Sequence, residues 1–258
     1  MPLLIPRRGL AAVNYAATAY TTPAADFDGI NDQLQLSSDL SGSVDAKVGL
    51  LSAWLRIDGG DASYLTILHG RDAADANGRF VFSRNASDVF EVSARPAGSA
   101  TDVLVLKSNT SYTSNVAWRH VLASWNLATP VAHLYIDDVD DEAAGSTETD
   151  DTIDYTKEEW TLGGNTSDAN RFDGGMADFY FAQEYLDITV KANRRLFIDP
   201  AGKPVDLGSD GSTPTRSQPI CFFKADAAMP DNFANNLGSG GNFSVTGALA
   251  NASTSPTD

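Results

Sequence analysis

Residues Leu51-Ser52-Ala53-Trp54-Leu55-Arg56-Ile57 give the clearest structural signal in the chain. The odd-numbered residues of this run are all apolar, whereas Trp54 and Arg56 lie between them. Because successive side chains of a strand point to opposite faces, such alternation predicts a β-strand with one buried face. The run therefore predicts a sheet that packs through one side against another layer.

Further strand candidates recur on both sides of this run, between clusters of Gly, Asn and Asp. They are residues 34–36, 80–84, 89–94, 103–106, 118–125, 131–136, 160–162, 176–181, 220–224 and 243–245. Short strands at regular spacing, separated by turn residues, are typical of a β-sandwich. Trp118 and Trp125 are seven residues apart, so a regular strand would place their rings on opposite faces.

One segment departs from the strand pattern. In residues 187–197, Asp187 is placed to cap a short helix whose stripe would contain Ile188, Ala192 and Leu196. Residues 202–218 are rich in Gly, Pro, Ser and Thr and predict a long surface loop. The sequence thus predicts an all-β, two-sheet antiparallel sandwich with one short helix.

Charge and composition narrow the function classes. The chain has 258 residues, a formal net charge of −16, an isoelectric point near 4.4 and 42% hydrophobic residues. An acidic surface repels phosphates, which argues against nucleic acid as a partner. No apolar run approaches the length of a membrane span, so we expect no membrane partner either. The single cysteine, Cys221, lies in an apolar strand candidate and predicts a buried small hydrophobe.

Residues 1–24 predict an extended N-terminal arm, since three prolines and many Ala and Thr disfavour regular structure. Arg7 and Arg8 follow the first apolar residues, which is the reverse of the order in secretion signals. We therefore expect no export through a standard secretion signal. The residues expected to dock on a partner are Leu3, Leu4, Ile5, Arg7, Arg8, Tyr15 and Tyr20. Residues 251–258 form a polar tail that we expect to be exposed.

Five segments, in order, resemble the laminin-G-like jelly rolls of the concanavalin A-like type. They are residues 27–36 (FDGINDQLQL), 51–56 (LSAWLR), 118–125 (WRHVLASW), 134–138 (LYIDD) and 162–181, which contains GG at 163–164 and FDGGMADFYF at 172–181. The resemblance implies one jelly-roll domain over residues 25–250, with its core in residues 25–200.

Residues 196–247 also resemble a C-terminal portion of jelly-roll proteins encoded by tailed bacteriophages. This resemblance implies a non-enzymatic virion structural protein that is made in the host cytoplasm and exposed on the particle surface. Its expected role is a capsid decoration or head-fibre subunit that binds the major capsid protein and forms homo-oligomers. Two alternatives stay open: a tail-fibre or tail-tip adhesin for host surface glycans, and a polysaccharide hydrolase.

Two groups of residues are candidate sites. Calcium, the one cofactor left open, prefers several oxygen ligands, and the carboxylates that would supply them are Asp137, Asp138, Asp140 and Asp141. A solvated acidic hairpin explains the same residues without calcium. Rim loops of the resembling fold bind ligands, and the corresponding glycan candidates are Asn165, Asp168, Asn170 and Arg171. No Glu-x-Asp pair follows the 134–136 strand, so catalytic residues are not expected there.

Overall fold

The computed structural model describes residues 20–167, 169–226 and 232–258. The arm residues Leu3, Leu4, Ile5, Arg7, Arg8 and Tyr15 and the loop residue Asp168 lie outside these ranges. Within them, no helix is long and apolar enough to cross a membrane.

The described residues form short strands and one short helix. The strands are β1 (Ala25–Asp28), β2 (Gln33–Leu36), β3 (Val48–Ile57), β4 (Leu65–Asp72), β5 (Asp75–Arg84), β6 (Phe90–Ala94), β7 (Leu104–Lys107), β8 (Arg119–Asn126), β9 (Val131–Ile136), β10 (Val139–Asp140), β11 (Thr147–Glu148), β12 (Glu159–Leu162) and β13 (Asp173–Ala182). Helix α1 (Lys191–Arg194) follows, and then β14 (Cys221–Phe223), β15 (Ser244–Thr246) and β16 (Ala250–Asn251).

These strands form two antiparallel sheets. Sheet A has the order β10-β9-β8-β3-β13-β1-β16, with β14 also paired to β13. Sheet B has the order β11-β7-β6-β5-β4-β12-β2-β15. The all-β jelly-roll sandwich predicted from the sequence is confirmed.

The core lies between the sheets and is rich in aromatic rings. The Phe80 ring centroid of sheet B lies 5.1 Å from that of Phe181 in sheet A, and Trp125 and Trp160 pack beside them. The indole Nε1 of Trp125 donates a hydrogen bond of 3.1 Å to the Tyr155 hydroxyl, so this buried polar group is paired. Trp118 lies on the opposite, outer face of sheet A, as the spacing from Trp125 predicts.

The outer face of sheet A is largely covered by the chain that follows β13. Leu50, Leu122 and Tyr180 point away from the central core and form a second cluster with Ile188, Phe197 and Leu207. Phe223, Phe233 and Phe243 join the central core itself. The C-terminal portion thus packs on the same sandwich as the strands before it.

Helix α1 is shorter than the sequence predicts and does not begin at Asp187. Its N-cap is Val190, which makes no side-chain capping bond. The Asp187 carboxylate instead accepts hydrogen bonds from the Thr189 amide at 3.0 Å and the Thr189 hydroxyl at 2.5 Å. Because this local turn uses the cap residue, the helix starts later, and Ala192 is exposed instead of lying on a buried stripe.

The polar tail also differs from a freely exposed end. β16 pairs with β1, and the Thr254 hydroxyl accepts hydrogen bonds from Arg56 Nη1 at 2.8 Å and Trp118 Nε1 at 3.2 Å. Pro256 is buried. These contacts hold residues 250–256 against the outer face of sheet A, because buried or half-buried donors there find partners in the tail.

Candidate functional site

The outer face of sheet B carries a polar pocket of about 300 Å³. We call it the sheet B pocket, and its lining residues are Tyr64, Thr66, His69, Arg79, Val81, Glu91, Asn165 and Asn170. Strands β4, β5 and β6 supply the floor, because residues that alternate with the core residues Phe80, Phe82, Phe90 and Val92 point outward. The loops before β4 and after β12 supply the walls.

The β12–β13 loop holds two asparagines over the floor. The Asn165 Oδ1 accepts hydrogen bonds from the Ser167 amide at 2.9 Å and the Ala169 amide at 3.0 Å. Asn170 adopts a φ of 52°, and its carbonyl accepts a 2.8 Å hydrogen bond from the Thr66 amide. The Oδ1 of Asn165 is therefore used within the loop, and its amide NH2 group remains available to a ligand.

His69 lies on the floor as a neutral imidazole. Burial and the charges of Arg71 and Arg79 lower its pKa from 6.5 to about 4. Its Nδ1 accepts a 3.3 Å hydrogen bond from the Thr166 amide. At neutral pH, Nε2 therefore carries the proton and offers a hydrogen-bond donor.

Several buried polar atoms around the pocket have no hydrogen-bond partner within the described residues. They are Arg71 Nε, Arg79 Nε, Ser93 Oγ and Thr166 Oγ1. Each belongs to a lining residue or to its neighbour, since Arg71 pairs with Arg79 and Ser93 with Val81 across the strands. Buried polar groups are usually satisfied, so the sheet around the pocket is unusual in holding polar atoms that the described residues leave unpaired.

Comparison with known proteins places the chain in a family. The model of the concanavalin A-like lectin/glucanases superfamily (Laminin_G_3) matches residues 28–187, more than half of the chain. The chain belongs to this superfamily. No sequence among the curated proteins matches the chain.

Solved structures share the superfamily fold at low identity. A Bacteroides ovatus protein to which carbohydrate binding has been ascribed aligns with a TM-score of 0.59 and 13% identity, over 90% of this chain and 59% of that one. Domain 4 of AbnA, a GH43 extracellular arabinanase from Geobacillus stearothermophilus, in complex with arabinotriose, aligns at 0.47 and 16%, over 64% and 73% of the two chains. Mouse laminin α1 domains LG4-5 align at 0.46 and 14%, over 66% and 44%. At such identities the likeness concerns the fold alone.

A glucanase of this superfamily would need two carboxyl groups across a glycosidic bond. The described lining of the sheet B pocket has one carboxylate, Glu91, whose Oε2 accepts a 2.8 Å hydrogen bond from Asn85 and lies 3.6 Å from Lys107 Nζ. Among the residues that the structure describes, the lining of this pocket therefore holds no acid pair for hydrolysis.

A separate acidic groove of about 490 Å³ opens beside β12. Its carboxylates are Asp39, Glu158 and Glu159, and the Glu159 Oε1 accepts a 2.7 Å hydrogen bond from Gln35 Nε2. Burial, together with nearby Asp154, Asp45 and Asp72, raises the pKa of Asp39 and offsets the hydrogen bond from the Leu40 amide. This groove, and not the sheet B pocket, is where hydrolysis should be tested.

Asp72, Asp75 and Asp154 form a group whose oxygens lie within 4.8 Å of one another. A cation of the protein already lies among them, because Lys157 Nζ is 3.1 Å from Asp72 Oδ2 and 2.5 Å from Asp154 Oδ2. Burial alone would lower the pKa of Lys157, but its hydrogen bonds to Asp154 and Asp72 raise it overall. The ammonium is therefore charged and pairs with two of the three carboxylates, Asp72 and Asp154.

The predicted calcium ligands are not brought together. Asp137 and Asp138 form the β9–β10 turn with φ of 51° and 66°. Asp137 binds Arg119 at 2.9 Å, and Asp138 binds Arg194 at 2.6 Å and also Arg195. Asp141 accepts hydrogen bonds from the hydroxyls of Thr110 at 2.7 Å and Tyr112 at 2.8 Å. Asp140 is exposed. Each of the three carboxylates, Asp137, Asp138 and Asp141, thus binds its own donors within the protein.

The glycan prediction from sequence locates one wall of the pocket. Asn165 and Asn170 line it, Asp168 lies outside the described residues, and Arg171 packs against Gly164 instead of lining it. Sequence reasoning missed Tyr64, His69, Arg79 and Glu91. The available signal was the alternation in residues 80–84, which places Arg79 and Val81 on the face opposite Phe80 and Phe82.

Of the predicted arm residues, Tyr20 is described and is tied to sheet A. Its hydroxyl donates to the buried Asp178 carboxylate, 3.1 Å from Oδ1 and 3.0 Å from Oδ2. The Thr22 hydroxyl also donates to Asp178 Oδ1 at 3.1 Å. Lys224 Nζ lies 4.6 Å from the Tyr20 ring centroid. These contacts fix where the chain enters the sandwich.

Proposed function

We propose that this protein is a non-catalytic carbohydrate-binding module that holds a glycan in the sheet B pocket. The observation that carries the proposal is the polar pocket on the outer face of sheet B, where the donors of His69 and Asn165 converge with the Glu91 carboxylate. Superfamily membership and the fold shared with a protein to which carbohydrate binding has been ascribed support it.

The pocket chemistry suits a sugar. Hydroxyl groups both donate and accept hydrogen bonds, and the pocket presents both kinds of partner. His69 Nε2 and the Asn165 amide are donors, whereas the Glu91 carboxylate is an acceptor. Tyr64 adds a half-exposed aromatic ring with a hydroxyl that bonds Ser83 at 2.9 Å. Pockets with a few convergent polar groups of this kind are typical of small-molecule sites.

A glycan array followed by titration calorimetry of the best oligosaccharide tests the proposal. We expect Asn165→Ala and His69→Ala each to weaken binding about five- to thirtyfold, because each removes a hydrogen bond worth about 1–2 kcal/mol. Asn109→Ala, an exposed asparagine outside the pocket lining, should leave binding unchanged. Unchanged affinity in both pocket variants would contradict the site.

The hydrolase alternative has its own test. The full chain should release no new reducing ends from the polysaccharides it binds. If it does, and if Glu158→Gln or Glu159→Gln abolishes the release, the protein is an enzyme that acts through the acidic groove and the non-catalytic assignment is wrong.

We further propose that the module is a surface protein of a tailed bacteriophage particle. The support is the resemblance of residues 196–247 to phage jelly-roll proteins. None of the proteins named above is a bacteriophage protein, so the proposal depends on that resemblance. A capsid decoration or head-fibre subunit would dock on the major capsid protein through the N-terminal arm, form homo-oligomers and occur in many copies per particle. A tail adhesin would occur in few copies. Quantitative mass spectrometry of particles separates the two, and absence from particles contradicts both.

A further inference from the structure

Three arginines lie side by side across the outer face of sheet B. Arg71 of β4 is directly opposite Arg79 of β5 in the antiparallel register. Arg95, which directly follows β6, donates its amide to the Arg79 carbonyl at 2.9 Å and continues the same row. We call these residues the arginine row. It runs along one side of the sheet B pocket, which Arg79 itself lines.

Among the described residues, Asp102 supplies the one carboxylate within 4.0 Å of the guanidinium groups of the row. Asp102 binds Arg95 Nε at 2.8 Å and lies 3.9 Å from Arg79 Nη2, so two guanidinium groups share one carboxylate. Arg71 has no carboxylate within 4.0 Å among the described residues, and its side chain bonds Ser167 Oγ at 3.3 Å. Glu159 is opposite Arg71 on β12 without forming an ion pair with it, and its Oε1 accepts a hydrogen bond from Gln35.

Such an arrangement has a cost. Like charges directly opposite on neighbouring strands destabilise a sheet. This destabilising pair of like charges occurs in a chain with a formal net charge of −16, in which carboxylates are plentiful elsewhere. The fields of Arg71 and Arg79 also reach the pocket, since both lower the pKa of His69. An anionic group bound beside Arg79 would relieve this repulsion.

We propose that the sheet B pocket selects sugars that carry an anionic substituent, a hexuronate carboxylate or a sulfate. Arg79 and Arg71 would bind that substituent, and the wall and floor residues would bind the hydroxyls. Guanidinium groups suit this task because their paired N–H donors match the two oxygens of a carboxylate or sulfate. This inference rests on the proposed function and adds the class of glycan to it.

Titration calorimetry of the full chain with three oligosaccharides tests the selectivity. The first probe is a hexuronate oligosaccharide, and the second is its carboxyl-reduced, uncharged counterpart. The third, of equal length, carries sulfate on sugars that are otherwise uncharged. We expect at least one anionic probe to bind about tenfold or more tighter than the reduced one, with an advantage that shrinks as salt rises. The anionic probe that binds identifies the substituent.

Variants test whether the arginine row causes the tighter binding of anionic probes. Arg79→Gln and Arg71→Gln should remove most of the preference for the anionic probe, whereas Arg216→Gln, an exposed arginine outside the pocket lining, should retain it. Thermal unfolding checks that each variant is folded. A second measurement needs no variant: an anionic probe should raise the pKa of His69, followed by NMR, and the reduced probe should not.

The outcomes separate the two proposals. Equal binding of anionic and reduced probes, still weakened by Asn165→Ala, overturns the charge selectivity and leaves glycan binding standing. An anionic preference that survives both arginine variants also overturns it. No binding of any glycan, or binding indifferent to Asn165→Ala and His69→Ala, overturns the proposed function itself.

Discussion

The indole of Trp118 packs directly on Gly175 of β13, so closely that a Cβ on residue 175 would lie 2.6 Å from Trp118 Cη2. The guanidinium carbon of Arg56 lies 5.5 Å from the ring centroid, and the indole Nε1 donates to Thr254. Because residue 175 is a glycine, the Trp118 ring can contact β13, Arg56 and the C-terminal segment together on the outer face of sheet A.

Gly175→Ala should therefore destabilise the protein by about 1–3 kcal/mol, because the added methyl group forces the indole away from the sheet. Denaturant unfolding measures the loss. In a double-mutant cycle, Gly175→Ala should cost much less when Trp118 is already Ala, since the clash is gone. Equal costs in both backgrounds would show that the methyl group is accommodated without moving the ring.

Lys157→Met should destabilise the protein by about 3–5 kcal/mol. The side chain of Lys157 is fully buried, and its removal leaves Asp72 and Asp154 without their cation. Lys191→Met in α1, where the lysine is exposed, serves as the matched control and should change stability by less than about 0.5 kcal/mol. Similar small effects of both substitutions would mean that the carboxylates are solvated instead of paired.

Asp178→Asn should stabilise the protein at pH 7.5 but not at pH 4. Burial raises the pKa of Asp178 from 3.8 to about 6, although hydrogen bonds from Tyr20 and Thr22 and the charge of Lys224 partly oppose the rise. The folded state therefore binds this proton more tightly than the unfolded state does. The stability contributed by the group is complete below about pH 4 and is lost as pH rises through about 6, by up to about 3 kcal/mol.

Subtracting the wild-type free energy of unfolding from that of Asp178→Asn, at each pH, isolates this carboxyl from all other groups. The φ of residue 178 is 44°, which asparagine tolerates, and any gain from that source does not vary with pH. A difference that stays constant from pH 4 to 7.5 would contradict the raised pKa.

The strands that alternate cleanly could be predicted from the sequence, and the candidate site largely could not. β3 alternates because one face of its run meets the core. β4 does not alternate, because its pairing with β5 shifts register between Thr66 and Leu68 and buries both Ile67 and Leu68. The sequence pattern therefore does not predict this strand, nor the outward positions of His69 and Arg71 on it. Only the hairpin register places Arg71 opposite Arg79, and that register depends on the turn between β4 and β5.

Arg71→Gln should leave the protein slightly more stable at low salt while weakening its binding of anionic sugars. Removing one of two directly opposed like charges gains about 0.2–1 kcal/mol, less the attraction between Arg71 and Glu159 of β12 and the hydrogen bond to Ser167. The gain should shrink as salt increases, because half-exposed charges are screened over about 10 Å at 0.1 M. Denaturant unfolding at low and high ionic strength measures the change in stability and its dependence on salt, with Arg216→Gln as control. A marked loss of stability at low salt would show that attractive contacts within the protein hold Arg71. In that case there is no net repulsion in the row for an anionic ligand to relieve.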